Sequence, residues 1–509
     1  MTLTNENKSG LDKAIGIFWH ITLFFGMWGS ALFSVPVPGI GELFPFRVAV
    51  CLTALLFLIR CVKQKENPFA GRTAIEKVFF AFLGVMVIYG FVSLAIAIDF
   101  SFTFKRLFNL CLDVLFCLLF LFLVRDKKTL KQTFQNLFIN LIAIQAVGFL
   151  ETFTGNLFTE LYQDYKRFDF YMLKYLIPPA AGFENTNDYM SSMMFILFIL
   201  IGPVVLRFLS VEKPKKSAYL KIIALVGVSF YLGSCAFASL GNFSLELLVL
   251  GIILVGIMLL RRKLNARRIW FALAGIFVVY AVVWTAPMIR PAKVIISNNK
   301  KLAAYEKKVE GMTAEEKSLY PSPVMYPIPK VYGRDMSLFN LIFTTNEDGE
   351  IVINKDTSPG IRAELIGFAV GTLIDSKGLG VGLGNTEQLA MREPYESLHG
   401  YERIHCFAIR LCSDFGIFVI IPAVWLIVLV LRRYFKLFHL AKKKNDLNAR
   451  IFYLFILIGI AAFPFLSTAP SDAQDLIAMW SYLCFLIVMC TNPSLMLREE
   501  EERQSPPER

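Results

Sequence analysis

Charge and histidine are scarce in this sequence. Asp, Glu, Lys and Arg make up only 18% of its 509 residues, and there are four histidines. Apolar residues account for 56%. Apolar runs near 20 residues recur from end to end, and each can cross a bilayer core of roughly 30 Å. Such runs exclude an ordinary soluble protein. They predict an all-α polytopic membrane protein, because a chain in lipid must satisfy its backbone polar groups internally.

The sequence also lacks the cysteine patterns of metal sites and disulfide frameworks. None of the nine cysteines forms a CxxC pair or a Cys/His cluster with metal-ligand spacing, and the segment 288–405 contains none. The glycine-rich stretch GLGVGLGN, residues 378–385, lacks the preceding strand and βαβ unit of a dinucleotide site. We therefore expect no metal and no cofactor. We interpret these glycines as a tight turn that lets backbones approach a partner or substrate.

A cleavable signal peptide is not expected either, because the first apolar run is too long and no small-residue cleavage site follows it. Twelve membrane spans are predicted, at about residues 14–35, 44–62, 77–98, 103–124, 130–152, 189–209, 218–236, 241–261, 268–287, 406–431, 450–468 and 474–496. The predicted organisation is a membrane domain at 1–287 with spans one to nine, a large extracytoplasmic loop at 288–405 before the tenth span, a membrane domain at 406–496 with spans ten to twelve, and a disordered cytoplasmic tail at 497–509. The large loop should contain an amphipathic helix from about Ile361 to Asp375.

Lysine and arginine are missing from every second short connection. The stretches VPVPGIGE, SLGN and STAPSDAQD contain neither, whereas the alternate connections, such as RRKLNARR after span eight, are basic. Under the positive-inside rule, the basic connections and both termini are cytoplasmic, and the large loop lies on the outer face of the plasma (inner) membrane. The same distribution accounts for the net charge of +12, so no nucleic-acid partner is expected.

Charge inside a membrane protein is costly and usually functional, so the few charged residues near the outer ends of the spans are candidates for chemistry. The basic ones are Arg47, Lys105, Arg106, Arg362, Arg403 and Arg410. Arg410 and Asp414 are four residues apart, which places them on one face of a helix where they can pair. Two interpretations remain open: a structural ion pair that fixes span ten, or an arginine that faces an outward cavity and meets an anion.

Polar residues without a permanent charge add further candidates. His405 stands at the water boundary of span ten. It is either a tolerated polar residue or a general base, a role that suits a neutral imidazole near pH 7. Asn185, Asn187 and Asp188 precede span six within GFENTNDYMSS. Helix capping alone explains Asn187 or Asp188, but the three residues together exceed what a cap needs, so capping and a polar site both remain open.

Together these stretches resemble the O-antigen ligase and O-antigen polymerase superfamily, which includes teichuronic acid and exopolysaccharide polymerases of Gram-positive bacteria. GFENTNDYM is similar to the family's G-x-x-N-P-N pattern before a span. IRAELIGFAVGTLIDSKGLGVGLGN is similar to its outer-loop segment, IHCFAIRLCSDFGI to its histidine motif, and LFPFRV to the N-terminal pattern of the teichuronic acid branch. The chain departs from the family at Thr186, where proline is usual, at Cys406, where asparagine is usual, and in YLGSCAFASLGN, which has no arginine.

The resemblance implies a GT-C-like glycosyltransferase architecture and a metal-independent, inverting glycosyl transfer on the outer membrane face. The donor would be a glycan on undecaprenyl pyrophosphate, and the acceptor a sugar hydroxyl on another lipid-linked glycan. Membrane lipid and other polysaccharide assembly proteins are the further expected partners. The product would be a cell-surface polysaccharide built from lipid-linked repeat units.

The resemblance also assigns roles to the candidate residues. His405 would be the catalytic base. Arginines, whose permanent charge needs no metal, would bind the donor pyrophosphate: Arg362, Arg410, Arg403, Arg47 and Arg106. The acceptor would meet the polar site of Asn185, Asn187 and Asp188. Structural roles are expected for Asp414, Gly382, Gly384 and Gly416.

One geometric condition applies to the base. On a continuous helix Arg403 and His405 lie about 200° apart, so both can face one cavity only if the helix begins after Arg403. Two other functions remain open. A ligase would transfer the glycan to a lipid or protein acceptor. A transporter of lipid-linked oligosaccharides would need internal pseudo-symmetry and a polar cavity spread over many spans. Polar residues cluster on one face here, which favours a one-sided enzyme.

Overall fold

The computed structural model describes residues 10–29, 33–37, 41–154, 181–183, 186–209, 343–345, 351–353, 358–392, 404, 406–468, 470 and 474–495, together with isolated positions between 217 and 309. Within these ranges the chain is almost entirely helical, with two short antiparallel hairpins. Apart from the isolated positions, the spans predicted at 218–236, 241–261 and 268–287 lie outside the described residues, as does the tail at 497–509.

The described chain before residue 155 forms α1 (Gly10–Met27), α2 (Pro45–Gln64), α3 (Ala74–Ala95), α4 (Phe100–Leu123) and α5 (Lys127–Thr154). A hairpin of β1 (Val35–Val37) and β2 (Gly41–Leu43) joins α1 to α2. Local signals fix three helix starts. Pro45 opens α2, Thr73 and Glu76 form a capping box at α3, and the Asp99 side chain accepts from Phe102 N at the start of α4.

The next described helix is α6 (Thr186–Leu209), and a second hairpin pairs β3 (Phe343–Thr345) with β4 (Ile351–Ile353). Two helices follow, α7 (Ser358–Asp375) and the six-residue α8 (Asn385–Ala390). The C-terminal helices are α9 (Phe407–Phe415), α10 (Ile417–Lys443), α11 (Leu447–Leu466) and α12 (Ile477–Thr491). A 3-10 turn, Pro493–Leu495, ends the described chain.

Six of the described helices are long and apolar enough to cross a membrane. They are Pro45–Gln64, Ala74–Ala95, Phe100–Leu123, Asp188–Phe208, Ile417–Lys443 and Leu447–Leu466. Helix α6 is the most buried of them, at 89% of its apolar window, and packs against α5, α11 and α12. Helix α10 is only 17% buried and lies at the edge, against α3 and α11. Apolar residues thus face outward at the rim as well as inward, which confirms a helical membrane protein. The number of twelve spans remains a prediction.

The tenth predicted span, 406–431, needs a correction. Helix α9 ends at Phe415 and α10 begins at Ile417, because Gly416 between them has φ 60° and ψ −151°, far from helical values. Helix α10 then continues to Lys443, past the predicted end, since its lysines and arginines are good helix formers. The first span is also shorter than predicted, because α1 ends at Met27 and the β1–β2 hairpin follows.

Candidate functional site

The glycine-rich turn after α7 packs its backbone directly against the break between α9 and α10. Val381 N donates to Ser413 O at 2.9 Å, and Ile417 N donates to Gly378 O at 2.8 Å. A Cβ added to Gly416 would lie 2.2 Å from the carbonyl carbon of Leu379, and one added to Gly380 would lie 2.5 Å from Gly416 N. Side chains are therefore excluded from both positions. The expected close approach of backbones is present, but it joins two parts of the same chain rather than the chain and a partner or substrate.

The same turn is fixed to the connection between α3 and α4. Leu383 N donates to the Ser93 hydroxyl at 2.9 Å. The Asn385 amide donates to Ile96 O at 3.0 Å and accepts from Ile98 N at 3.1 Å. Asn385 is 2% exposed, so one buried amide joins the start of α8 to the end of α3. Three distant parts of the sequence are thereby held at one end of the bundle.

Asp414 stabilises the start of α8 from the neighbouring helix α9. Its Oδ2 accepts from Gly384 N at 3.1 Å, and its Oδ1 accepts from the Thr386 hydroxyl at 2.6 Å. Asp414 and Thr386 are both buried. A buried carboxylate at a helix N-terminus is favoured by the helix dipole and by the otherwise unsatisfied N–H groups there. These contacts support a structural role for Asp414, and Gly384 and Gly416 lie in the same junction.

The main charged feature is a cluster of Arg106, Glu387, Arg410, Gln474 and Asp475, which we name the arginine–carboxylate cluster. Arg106 Nη2 donates to Glu387 Oε2 at 2.7 Å, and Arg410 Nη1 donates to Glu387 Oε1 at 3.4 Å. Each oxygen of one carboxylate thus faces a different guanidinium. Glu387 is 1% exposed and Arg410 is 3% exposed. Arg410 also bonds Gln474 Oε1, and Arg106 Nη1 lies 3.3 Å from Asp475 Oδ2.

The cluster corrects the expected Arg410–Asp414 arrangement. Although the two residues share helix α9, Arg410 donates to Glu387 and Gln474, whereas Asp414 accepts from Gly384 and Thr386. Helix spacing makes an (i, i+4) contact possible, but it does not choose between that contact and groups brought in by the rest of the fold. Sequence reasoning missed Glu387, Gln474 and Asp475. The available signal was the need for a carboxylate once Arg410 is buried and Arg106 is partly buried.

Two further predicted arginines lie elsewhere in the described structure. Arg362 is buried in α7, on the face that also buries Leu365 and Ala369, and α7 packs against α9. It therefore stands on the helix next to the one that carries Arg410. Arg47 is half-buried in the first turn of α2, which packs against α1 and α4. The structure brings Arg106 and Arg410 to one carboxylate, that of Glu387. That these arginines bind the pyrophosphate of a glycan donor stays a prediction.

The predicted polar site near α6 is described only in part. Asp188 is buried in the first turn of α6, and the neighbouring Tyr189 donates its hydroxyl to Gln145 Oε1 at 3.0 Å. Asn187 lies in the same turn, but its side chain is outside the described residues, as are Asn185, Arg403 and His405. Helix α9 begins at Phe407, so the condition that the helix starts after Arg403 is met.

Among the described residues, no group of three or more His, Cys, Asp and Glu side chains is arranged to hold a metal ion. The charges of the arginine–carboxylate cluster instead face each other directly. Its chemistry is that of guanidinium groups with planar, bidentate donor geometry, which suits carboxylates and phosphates equally.

Comparison with known proteins gives one informative relative. The chain is 20% identical over 464 residues to the "Teichuronic acid biosynthesis protein TuaE" of Bacillus subtilis (strain 168). The match covers 90% of this chain and 80% of that protein. No profile of a known protein family matches the chain. The similarity is therefore distant in identity but extends over most of both chains.

Proposed function

We propose that this protein is a polymerase of lipid-linked cell-surface polysaccharide repeat units. It transfers a glycan from undecaprenyl pyrophosphate to an acceptor sugar hydroxyl, with inversion and without a metal. The observation that carries the proposal is the convergence of Arg106 and Arg410 on one buried carboxylate at one end of a membrane bundle. The likeness to a teichuronic acid biosynthesis protein over 90% of the chain supports the substrate class.

The distribution of charge supports an outer location for this end of the bundle. The cluster lies where α3 ends and α4 begins, and the connection there, residues 96–99, has no lysine or arginine. The connections at the opposite ends of these helices carry Lys65, Arg72 and Arg125. Under the positive-inside rule, the basic end is cytoplasmic and the cluster faces outward.

In the proposed reaction, the acceptor hydroxyl oxygen attacks the anomeric carbon of the donor sugar. The bond from that carbon to the pyrophosphate oxygen breaks, and its electron pair leaves with the pyrophosphate. Guanidinium groups stabilise the developing negative charge. Arg106, on the exposed side of the cluster, contacts the pyrophosphate first, and Arg362, Arg403 and Arg47 donate further hydrogen bonds to it. Arg410 is held by Glu387 and Gln474 and fixes the position of the cluster.

His405 takes the proton of the acceptor hydroxyl. The proposal rests on its place directly before α9, the helix that carries Arg410. The acceptor glycan lies against the polar site of Asn185, Asn187 and Asp188, of which Asp188 is buried at the start of α6. Gly382 N and Gly384 N both donate to Asp414, and Gly416 lies against the backbone of Leu379, so these glycines hold the turn against the helix break.

The direct test is polymer formation in liposomes from defined lipid-linked repeat units, resolved as a ladder on a gel. His405→Ala should lower the rate by roughly 10²–10⁴, the usual contribution of general acid–base catalysis. His399→Ala is the matched control and should stay close to wild type. A ladder should also form in EDTA. Transfer to a lipid or protein acceptor without a ladder would identify a ligase, and movement of intact substrate without any product would identify a transporter.

Sidedness has its own test. Single cysteines introduced at Asn299 and Lys443 are labelled in intact cells with an impermeant thiol reagent, each compared with the parent chain. The charge distribution predicts that position 299 reacts and position 443, at the end of α10, does not. The reverse pattern would place the arginine–carboxylate cluster in the cytoplasm and overturn the proposed reaction site.

A further inference from the structure

The two edges of the Arg106 guanidinium have different partners. At one edge Nη2 donates to Glu387 at 2.7 Å, and that carboxylate is 2% exposed. At the other edge Nη1 lies 3.3 Å from Asp475, whose side chain is 41% exposed. The Phe102 ring lies 5.2 Å from the guanidinium carbon and covers one face of the group. An incoming anion can therefore bind Arg106 in the plane of its guanidinium by taking the position that Asp475 occupies at Nη1.

The two ion pairs also differ in strength. Breaking a buried pair leaves an uncompensated charge and is strongly unfavourable, whereas an exposed pair is screened by water and contributes little. Glu387 is thus a fixed partner of Arg106, and Asp475 is an exchangeable one. The backbone beside Asp475 is held in place, because Trp480 Nε1 donates to Gln474 O at 2.8 Å. Displacement of Asp475 from Arg106 therefore requires movement of the side chain rather than of the backbone.

We propose that Asp475 is a place-holder that occupies the phosphate position on Arg106 and is displaced by the pyrophosphate of a lipid-linked donor. The inference rests on the proposed function for the identity of the anion. Two oxygens of a phosphate fit a guanidinium fork as the two oxygens of a carboxylate do, and the whole pyrophosphate carries more negative charge than one carboxylate. Asp475 thereby keeps the arginine oriented when no donor is bound, and it lowers the affinity for the donor as an intramolecular competitor.

Removal of the Asp475 carboxylate should therefore raise the affinity for a pyrophosphate ligand rather than lower it. Full-length protein in nanodiscs is titrated with farnesyl pyrophosphate, a short polyprenyl pyrophosphate, and with inorganic pyrophosphate. Asp475→Asn should lower the Kd for farnesyl pyrophosphate by roughly two- to fivefold, which corresponds to the contribution of one exposed ion pair. A Kd that is unchanged or higher overturns the proposal.

Glu66→Gln is the matched control. Glu66 pairs with Arg60 at 3.1 Å and is 46% exposed, so its substitution removes the same charge from a similar pair in the α2–α3 connection. It should leave the Kd unchanged. An equal gain in both variants would mean a general effect of net charge and would overturn the place-holder. A gain for inorganic pyrophosphate but not for farnesyl pyrophosphate would overturn the lipid-linked identity of the anion.

A double-mutant cycle assigns the effect to Arg106. In an Arg106→Gln background, Asp475→Asn should no longer improve binding, because the edge that Asp475 occupies is gone. If Arg106→Gln does not fold, Arg106→Lys replaces it, and the gain should shrink. A full gain without the guanidinium contradicts the proposal. If the protein makes polymer but Asp475→Asn does not change the Kd for farnesyl pyrophosphate, the place-holder alone is rejected. If Asp475→Asn binds farnesyl pyrophosphate more tightly but no variant makes polymer, the proposed function alone is rejected.

Discussion

Two buried arginine–carboxylate groups stand in opposite connections of this bundle, and they are built differently. In the α2–α3 connection, Arg72 donates to Glu76 at 2.9 Å, to Pro68 O at 2.8 Å and to Leu121 O at 3.2 Å. Its guanidinium lies over the Phe122 ring at 4.8 Å. Glu76 also completes the capping box with Thr73. Most partners come from a few residues around one helix start. The contacts are therefore mostly local, and we call this group around Arg72 and Glu76 the staple.

The arginine–carboxylate cluster is assembled from four remote segments instead. Arg106 and Glu387 are 281 residues apart in sequence, and Arg410 and Gln474 are 64 apart. One of its carboxylates, Asp475, is 41% exposed. The comparison teaches that the same pair of residue types serves two purposes. A short-range, closed pair fixes a helix start, whereas the long-range pair, which has an exposed carboxylate, is where we propose that an anion binds.

The largest effect is expected for Glu387→Ala. This change leaves the buried guanidinium of Arg410 and the partly buried one of Arg106 without their shared carboxylate, which should cost roughly 3–5 kcal/mol of stability. Thermal unfolding in detergent, followed by tryptophan fluorescence, measures the loss. A Glu387→Ala/Arg410→Met double variant should recover part of it, because one of the stranded charges is then removed. A melting temperature equal to that of wild type would show that Glu387 does not hold the cluster together.

A smaller loss is expected at the backbone contact beside the cluster. Gly416→Ala forces a strained conformation and a clash with the backbone of Leu379, for a cost of roughly 2–4 kcal/mol. Gly367→Ala is the control, since a Cβ there meets nothing within 4 Å and α7 is helical. The control should be neutral or slightly stabilising. Equal melting temperatures for the two variants would contradict the close approach of the turn to the helix break.

The smallest of the three effects on stability should come from Arg72→Ala. Glu76 keeps its bonds to Thr73 and has Arg125 at 3.7 Å, so the loss should be only about 1–3 kcal/mol. Because the staple is at the other end of the bundle, transfer activity per folded molecule should stay at the wild-type level. A selective loss of activity in folded Arg72→Ala protein would remove the distinction between staple and site.

Sequence reasoning succeeded where one local rule decides the outcome. The helix expected from about Ile361 to Asp375 corresponds to α7, because buried positions at Arg362, Leu365, Ala369 and Thr372 follow the helical period. The glycine-rich turn was recognised for a similar reason. In contrast, the break at Gly416 lies inside an apolar run, where hydropathy gives no signal, and it depends on a backbone that arrives from residues 378–381.

The charged site was only half predictable. Arg106 and Arg410 stood out because arginines are rare within apolar runs. Their partner Glu387 did not, since TEQLA reads as an ordinary loop or helix start and its burial depends on the packing of α8 against α9. The pairing of Arg410 with Glu387 and Gln474 joins parts of the chain that no local spacing relates. The cluster forms only through contacts between segments that are remote in the sequence. For the same reason, local sequence patterns do not reveal it.

In the proposed reaction, the guanidinium of Arg106 stabilises the negative charge of the leaving pyrophosphate. The most direct measurement is the initial rate of polymer formation by reconstituted Arg106→Ala, with Lys105→Ala as control at matched amounts of folded protein. Lys105 is the adjacent, exposed cation of α4. The account predicts a roughly 10²-fold loss for Arg106→Ala, partial activity for Arg106→Lys and a near-normal rate for Lys105→Ala. Equal rates for Arg106→Ala and Lys105→Ala would contradict it.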